Sequence, residues 1–290
     1  INEEKPVIMT EKQIIAVGGL RPFGRKIHPL INYILELPNK ENPKIAYIPT
    51  ATGDAETSIV GFYNRFPGDR CERCHMTLFN RTISDLEKYL LSQDIILVSG
   101  GNTANMLAVW RIHGVDKILK KAWVKGIILC GGSAGSLCWF DCGTTDSFSM
   151  YELAPLYDGL GFIPGSHCPH YDGEAQRRPL YHKLVSEGFP AGYAIDEDAA
   201  VHFIDQKVHN VVSSRKNAMA YYVEMQTSSI VEKKNSNYLS YRSKVWQSTS
   251  RGGLPKLFFE NMNFEKYADF VINFPILFIK NKNQYISGRK

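Results

Sequence analysis

The chain has 290 residues, 44% hydrophobic and 22% charged, a globular balance that excludes a disordered, collagen-like or mucin-like protein. Its net charge of +5 is unevenly placed: residues 226–290 carry 11 Lys and Arg against 4 Asp and Glu, a net of +7, which leaves the preceding residues at −2. The basic character belongs to the tail, so nucleic acid is not an expected partner of the body.

No run approaches the ~20 apolar residues of a membrane-spanning helix. The best stretch, residues 270–279, is interrupted by Asn273 and Pro275, so no membrane partner is expected. The opening INEEKPVIMTEK has no basic segment followed by an apolar run, as a secretory leader would, and Met9 reads like a natural start. A cytoplasmic setting is expected, with the cysteines reduced.

In chain order, apolar β-branched runs at residues 13–17, 44–48, 94–98 and 125–130 each lead into small residues: Gly18-Gly19, Pro49 to Gly53, Ser99-Gly100-Gly101-Asn102 and Gly131-Gly132-Ser133. Runs apolar on both faces predict parallel strands covered from both sides. Helical patterns lie between them at residues 84–91 and 103–118, and a further helix is predicted over 134–140. Alternating strands and helices predict an α/β three-layer sandwich around a mostly parallel sheet. The small-residue clusters then gather at the carboxyl edge of that sheet, where such folds place their sites. After about Val231 this rhythm is lost. The expected organisation is a catalytic domain over residues 9–231 and a basic extension over 232–290.

Six cysteines are present: Cys71, Cys74, Cys130, Cys138, Cys142 and Cys168. Cys71-Glu-Arg-Cys74-His75 has the spacing of a c-type haem attachment, and Cys71, Cys74 and His75 with Cys138 and Cys142 offer zinc-ligand types. The reading adopted is incidental thiols, with neither metal nor organic cofactor.

Gly131-Gly132-Ser133-Ala134-Gly135 fits G-x-S-x-G, with an apolar strand before it and a helix after it. A sharp strand-to-helix turn lifts a serine oxygen out of the sheet edge. The neighbours must be small because the backbone crowds itself there. The Ala134 amide at the helix start points at a developing oxyanion. A serine nucleophile needs a base, and Ser166-His167-Cys168-Pro169-His170-Tyr171-Asp172 carries two histidines in a predicted polar loop. An orienting acid is available in Asp196-Glu197-Asp198, at the end of a short strand.

Together with Ile15-Ala-Val-Gly-Gly19, Val98 to Thr103 and Tyr193 to Glu197, these segments resemble, in order, the peptidase E family. That family comprises the aspartyl dipeptidase group of serine peptidases, related more distantly to cyanophycinase. The resemblance covers roughly residues 12–225. It implies a class I glutamine amidotransferase-like (flavodoxin-like) fold, with Ser133 as nucleophile, His170 as base and Glu197 as triad acid. The amides of Gly101 and Ala134 would form the oxyanion hole. Asn102 and Asp146 would lie beside the substrate, with Asp146 an alternative acid. Arg177 or Arg178 would hold the carboxylate of an N-terminal aspartate. The implied activity is hydrolysis of short peptides, dipeptides with an N-terminal aspartate in particular, and a homodimer is compatible with the chain. Two other readings compete. An α/β-hydrolase esterase would run Ser, acid, His, whereas here the best acid follows the histidine. An amidotransferase-like module would bind a small ligand with Ser133 inert.

Overall fold

The computed structural model describes residues 11–20, 28–149, 151–235 and 238–240. The first part of the chain winds through β1 (Gln13–Val17), α1 (Pro29–Glu36), β2 (Lys44–Ile48), α2 (Glu56–Arg65), β3 (Glu72–His75), α3 (Leu86–Leu91), β4 (Ile95–Val98), α4 (Thr103–His113), α5 (Val115–Val124) and β5 (Ile128–Gly132). There follow α6 (Ala134–Leu137), β6 (Phe140–Thr145), β7 (Ala154–Leu156), β8 (Ile163–Cys168), α7 (Arg177–Ser186) and β9 (Gly192–Ile195). The described chain closes with β10 (Ala199–Ile204), β11 (Lys207–Ser213), β12 (Ala220–Gln226), β13 (Ser229–Lys234) and β14 (Tyr238–Ser240).

The main sheet has the order β14-β11-β10-β1-β5-β4-β2-β3. Strands β1, β5, β4, β2 and β3 are mutually parallel, and β10 returns antiparallel beside β1. The apolar runs work as predicted. In β1, Ile15 and Val17 pack with α1 and α2 on one face, while Ile14 and Ala16 pack with α3, α4 and α5 on the other. Period-2 alternation of side chains serves both faces, so the strand reads as continuously apolar.

Three predicted elements differ. The helix expected over 103–118 is two helices, because Gly114 adopts φ 70°, ψ 15° and ends α4 with a left-handed cap. The helix after Ser133 stops at Leu137, since Phe140 already pairs with Ile163 in a strand. The loop expected around His167 is β8. It belongs to a second sheet, β13-β12-β9-β8-β6-β7, which packs its own core with α7 through Tyr171, Tyr181, Leu184 and Val185. The expected domain boundary at 231 falls inside β13, which pairs with β12 as far as Lys234. The extension also supplies β14, which pairs parallel with β11; residues 241–290 lie outside the described residues. Among the described residues no helix is long and apolar enough to cross a membrane.

Candidate active site

Because β1, β4 and β5 run parallel, their carboxyl ends bring Gly18-Gly19, residues 99–102 and Ser133 to one edge. Ser133 follows β5 directly and precedes α6, with φ 57° and ψ −119°. A non-glycine residue held there stores about 1–3 kcal/mol of strain. The surroundings impose it: the Ser133 amide donates to the Val17 carbonyl at 3.2 Å, and its own carbonyl accepts from the amides of Ser136 (3.0 Å) and Leu137 (2.9 Å). Small neighbours are obligatory, as a Cβ on Gly135 would sit 2.4 Å from the Val98 carbonyl oxygen. The Ser133 hydroxyl and the Ala134 amide have no hydrogen-bond partner among the described residues.

The Gly100-Gly101 loop faces the same serine. A Cβ on Gly100 would lie 3.3 Å from Ser133 Cβ and 3.8 Å from its Oγ. Gly101 has φ 134°, a region open to glycine, and its amide has no acceptor among the described residues. Asn102 is occupied at both ends. Its Oδ1 caps α4 through the Asn105 amide (2.8 Å), and its Nδ2 donates to the Ser147 carbonyl (2.8 Å). It therefore ties the 147 loop to the glycine loop.

The two candidate histidines separate cleanly. His167 sits in β8, fully buried, with Nδ1 2.8 Å from the Tyr193 carbonyl and Nε2 2.9 Å from Ser136 Oγ. Desolvation pushes its pKa down to about 3, so it is a neutral core residue. His170 lies just beyond the strand at φ 53°, its amide donating to the Gly18 carbonyl at 3.1 Å. Its Nδ1 is 3.2 Å from Glu197 Oε1. With Nδ1–H directed at that carboxylate, Nε2 carries the lone pair and is able to accept a proton.

The three acids divide between tasks as the chain crosses from β9 in one sheet to β10 in the other. Asp196 is buried, accepts from the Met219 amide (2.9 Å), and desolvation raises its carboxyl to about 6. Glu197 faces His170. Asp198 lies 3.4 Å from His28 Nε2. Arg215, which no motif flagged, braces this crossing: it pairs with Asp172, donates to the Glu197 carbonyl (3.0 Å) and lies 3.7 Å from Asp198. Asp172 in turn accepts from the Glu197 amide (2.9 Å).

Ser133 separates two concavities. One, of about 320 Å³, is lined by Ser133, His170, Gly100, β-strand residues such as Val17 and Leu97, and the α2 face carrying Phe62 and Arg65. The other, about 520 Å³ and open, is formed by Gly101, Asn102, Ser133, Asp146, Ser147, Phe148 and Ser149. Asp146 is exposed there, away from the histidine that Glu197 holds. Neither expected arginine lines either space. Arg177 is 2% exposed, donating to Glu174 Oε2 (2.7 Å) and the Thr144 carbonyl (2.9 Å). Arg178 stacks over Tyr171 at 4.5 Å and lies 3.3 Å from Glu232. Arg177 is enclosed by its acceptors and Arg178 rests on a tyrosine, so neither expected arginine faces the spaces beside Ser133.

All six cysteines are free. Cys71 contacts the Pro67 carbonyl, Cys74 lies 3.5 Å from Gln93 Oε1, and His75 Nδ1 is 2.9 Å from the Tyr63 hydroxyl. They do not converge on a common point, and burial pushes the Cys168 and Cys142 thiols up to about 12.

The chain compares well with known peptidases. It is 45% identical over 228 residues to the uncharacterized peptidase YgaJ of Bacillus subtilis, covering 76% of this chain and 96% of that protein. The crystal structure of a peptidase from an acI-B1 Actinobacterium matches with a TM-score of 0.54 at 17% identity, over 78% of this chain and 96% of that one. The shared fold is the α/β architecture of class I glutamine amidotransferases. A further match, 37% identical over 62 residues, is to the chloroplastic glutamate–cysteine ligase of Arabidopsis thaliana. It covers 20% of this chain and only 12% of that protein, too small a share to bring that protein's chemistry with it. The model of peptidase family S51 matches residues 14–211, a span that contains the strained serine, both histidines and the crossing acids. The chain therefore belongs to peptidase family S51 and is a peptidase.

Proposed function

We propose that this peptidase hydrolyses short peptides by acyl transfer through Ser133, with His170 as general base and Glu197 as the carboxylate that orients it. The observation that supports this most is the pairing of a strained, unpartnered serine with a carboxylate-bound histidine on the wall of one cavity. In the proposed cycle, His170 Nε2 removes the Ser133 proton as Oγ attacks the scissile carbonyl. Glu197 holds the imidazole in the Nδ1–H tautomer and stabilises the imidazolium. The amides of Ala134 and Gly101 receive the oxyanion, which forms where both lack an acceptor in the resting protein. His170 then passes its proton to the leaving amine, and water, activated by the same histidine, releases the acyl group. The residues require neither a metal nor an organic cofactor for any of these steps.

A cavity of about 320 Å³ is at the small end for ligand sites, which favours dipeptides and similarly short substrates. A preference for an N-terminal aspartate belongs to the same reading, but the arginines expected to enforce it are engaged elsewhere. The deciding experiment is Ser133→Ala in the full chain, assayed on Asp-X, Glu-X and neutral dipeptides. Hydrolysis should fall by about 10⁴- to 10⁶-fold, and the serine of the unaltered protein should be labelled by a fluorophosphonate. An unlabelled protein, or a variant with full activity, removes Ser133 from the mechanism.

A further inference from the structure

Arg65 closes α2, and helical spacing puts Thr57, Ser58, Gly61 and Arg65 on the face that covers the cavity beside Ser133. The cavity wall is mostly apolar, with Val17, Ile31, Ile34, Phe62 and Leu97 among its residues. Of its described lining residues, Arg65 is the sole one with a permanent charge. It is exposed and has no hydrogen bond or ion pair among the described residues. Arg177, by contrast, is buried with two acceptors, and Arg178 lies on Tyr171 beside Glu232, outside this cavity. An unmatched guanidinium over an apolar wall is a site for a carboxylate attached to a short hydrocarbon.

The triad geometry adds a direction. His170 must hand its proton to the leaving amine, so the leaving residue lies on the histidine's side of Ser133. His170 lines the cavity that holds Arg65 and is absent from the lining of the concavity that holds Asp146. The leaving residue is therefore the one that meets Arg65. The acyl residue, with its free ammonium, faces Asp146 across the serine. From this juxtaposition we infer that Arg65 is a specificity residue that grips a carboxylate of the leaving residue. In a dipeptide the first source of that carboxylate is the free C-terminus, and the second is an acidic side chain.

The inference rests on the proposed serine mechanism, and the test keeps the two apart. The full-length protein and its Arg65→Met and Arg65→Lys variants are compared on a dipeptide and its C-terminal amide. They are also compared on a pair with Glu or Gln as the leaving residue. In parallel, binding of the same four peptides is measured by calorimetry to Ser133→Ala protein, with and without Arg65→Met, so that the readout does not depend on turnover. The unaltered protein should prefer one carboxylate-bearing partner by about 10- to 100-fold, the scale of a charge-assisted pair. Arg65→Met should erase that preference and Arg65→Lys should keep part of it, while the melting temperature stays put. Loss of the free-acid preference identifies the C-terminus; loss of the Glu preference identifies the side chain. If Arg65→Met lowers both members of each pair equally, or changes neither, Arg65 does not read a carboxylate. Activity retained in Ser133→Ala would instead reject the mechanism beneath it.

Discussion

Replacing Gly19 by Ala tests the His170–Glu197 pair without touching any functional group. Gly19 lies where β1 leaves the sheet, and a Cβ there would stand 2.7 Å from both Cε1 and Nδ1 of His170 and 3.3 Å from Glu197 Cγ. Carbon contacts settle at about 3.5–4.0 Å, so the imidazole must retreat by roughly 1 Å. The His170–Glu197 separation is already 3.2 Å, and little displacement is available before that bond fails. A misplacement of about 1 Å in a catalytic group costs on the order of 10²-fold in rate, or about 2.7 kcal/mol of barrier. The fold should tolerate the change. Gly19 is not at positive φ, and its carbonyl keeps the Asp198 amide at 2.8 Å. The assay is kcat and KM on the best short peptide, beside a thermal melt of the same sample. The expected result is a kcat lowered about 100-fold with a melting temperature near that of the unaltered protein. A variant with undiminished kcat would show that the proton is not carried by His170 in this position.

Three further outcomes follow from the packing. Gly61→Ala sits in α2 with nothing within 4 Å of its new methyl, so urea unfolding should show a gain of about 0.5–1 kcal/mol; a loss would mean the helix face is not open there. Burial lowers His167 to about 3 and His202 to about 4. Their contribution is full above the ordinary histidine value of 6.5 and is lost as pH falls below it. Asp196 acts oppositely, since a carboxyl raised from 3.8 to about 6 gains stability on acidification through that window. Unfolding midpoints for Asp196→Asn should therefore fall more steeply between pH 6 and 4 than those of the unaltered protein, and parallel curves would refute the assignment. Ending the chain after residue 231 removes Glu232, which accepts from the buried Tyr171 hydroxyl and lies 2.6 Å from His182. It should cost about 1.5–3 kcal/mol for the lost hydrogen bonds to a charged group, whereas ending it after residue 240 should not; equal stability of the two would leave β13 without a role.

What was legible in the chain follows from where each signal is stored. The parallel strands were readable because burial on both faces leaves no polar position in β4, most of β5 or β1 after Gln13, and because small residues at each carboxyl end mark the turn. Most of the second sheet was not readable, the short strand ahead of Asp196 being the exception. Its strands β6, FDCGTT, and β8, IPGSHC, look like loops, because their polar side chains are satisfied internally. Ser166 Oγ meets the Tyr181 hydroxyl at 2.7 Å, and Thr144 Oγ1 reaches Cys168 Sγ at 3.1 Å. Hydrogen bonds of that kind make polar residues compatible with a core, and a hydrophobicity pattern has no means of registering them. The break at Gly114 was hidden for a different reason: the apolar spacing continues across it, and only the glycine's left-handed conformation turns the chain.

The site divides along the same line. The turn at Ser133 was legible because its geometry is local: strand, strained turn and helix are contiguous. The histidine and acid were legible only as sets, His167 with His170 and Asp196 to Asp198. Choosing within a set depends on which sheet each residue ends. His167 is still inside β8 and points into a core that keeps it neutral. Three residues later the strand is over, and φ 53° turns His170 toward the cavity. Arg177 and Arg178 show the converse failure. Two adjacent guanidiniums after a loop look alike in the sequence as carboxylate clamps. The fold drives one into the interior and lays the other on a tyrosine, while Arg65, more than a hundred residues earlier, is brought to the cavity by a helix on the opposite face of the sheet. Which guanidinium faces a cavity without a partner among the described residues is a property of the packed chain rather than of any segment of it.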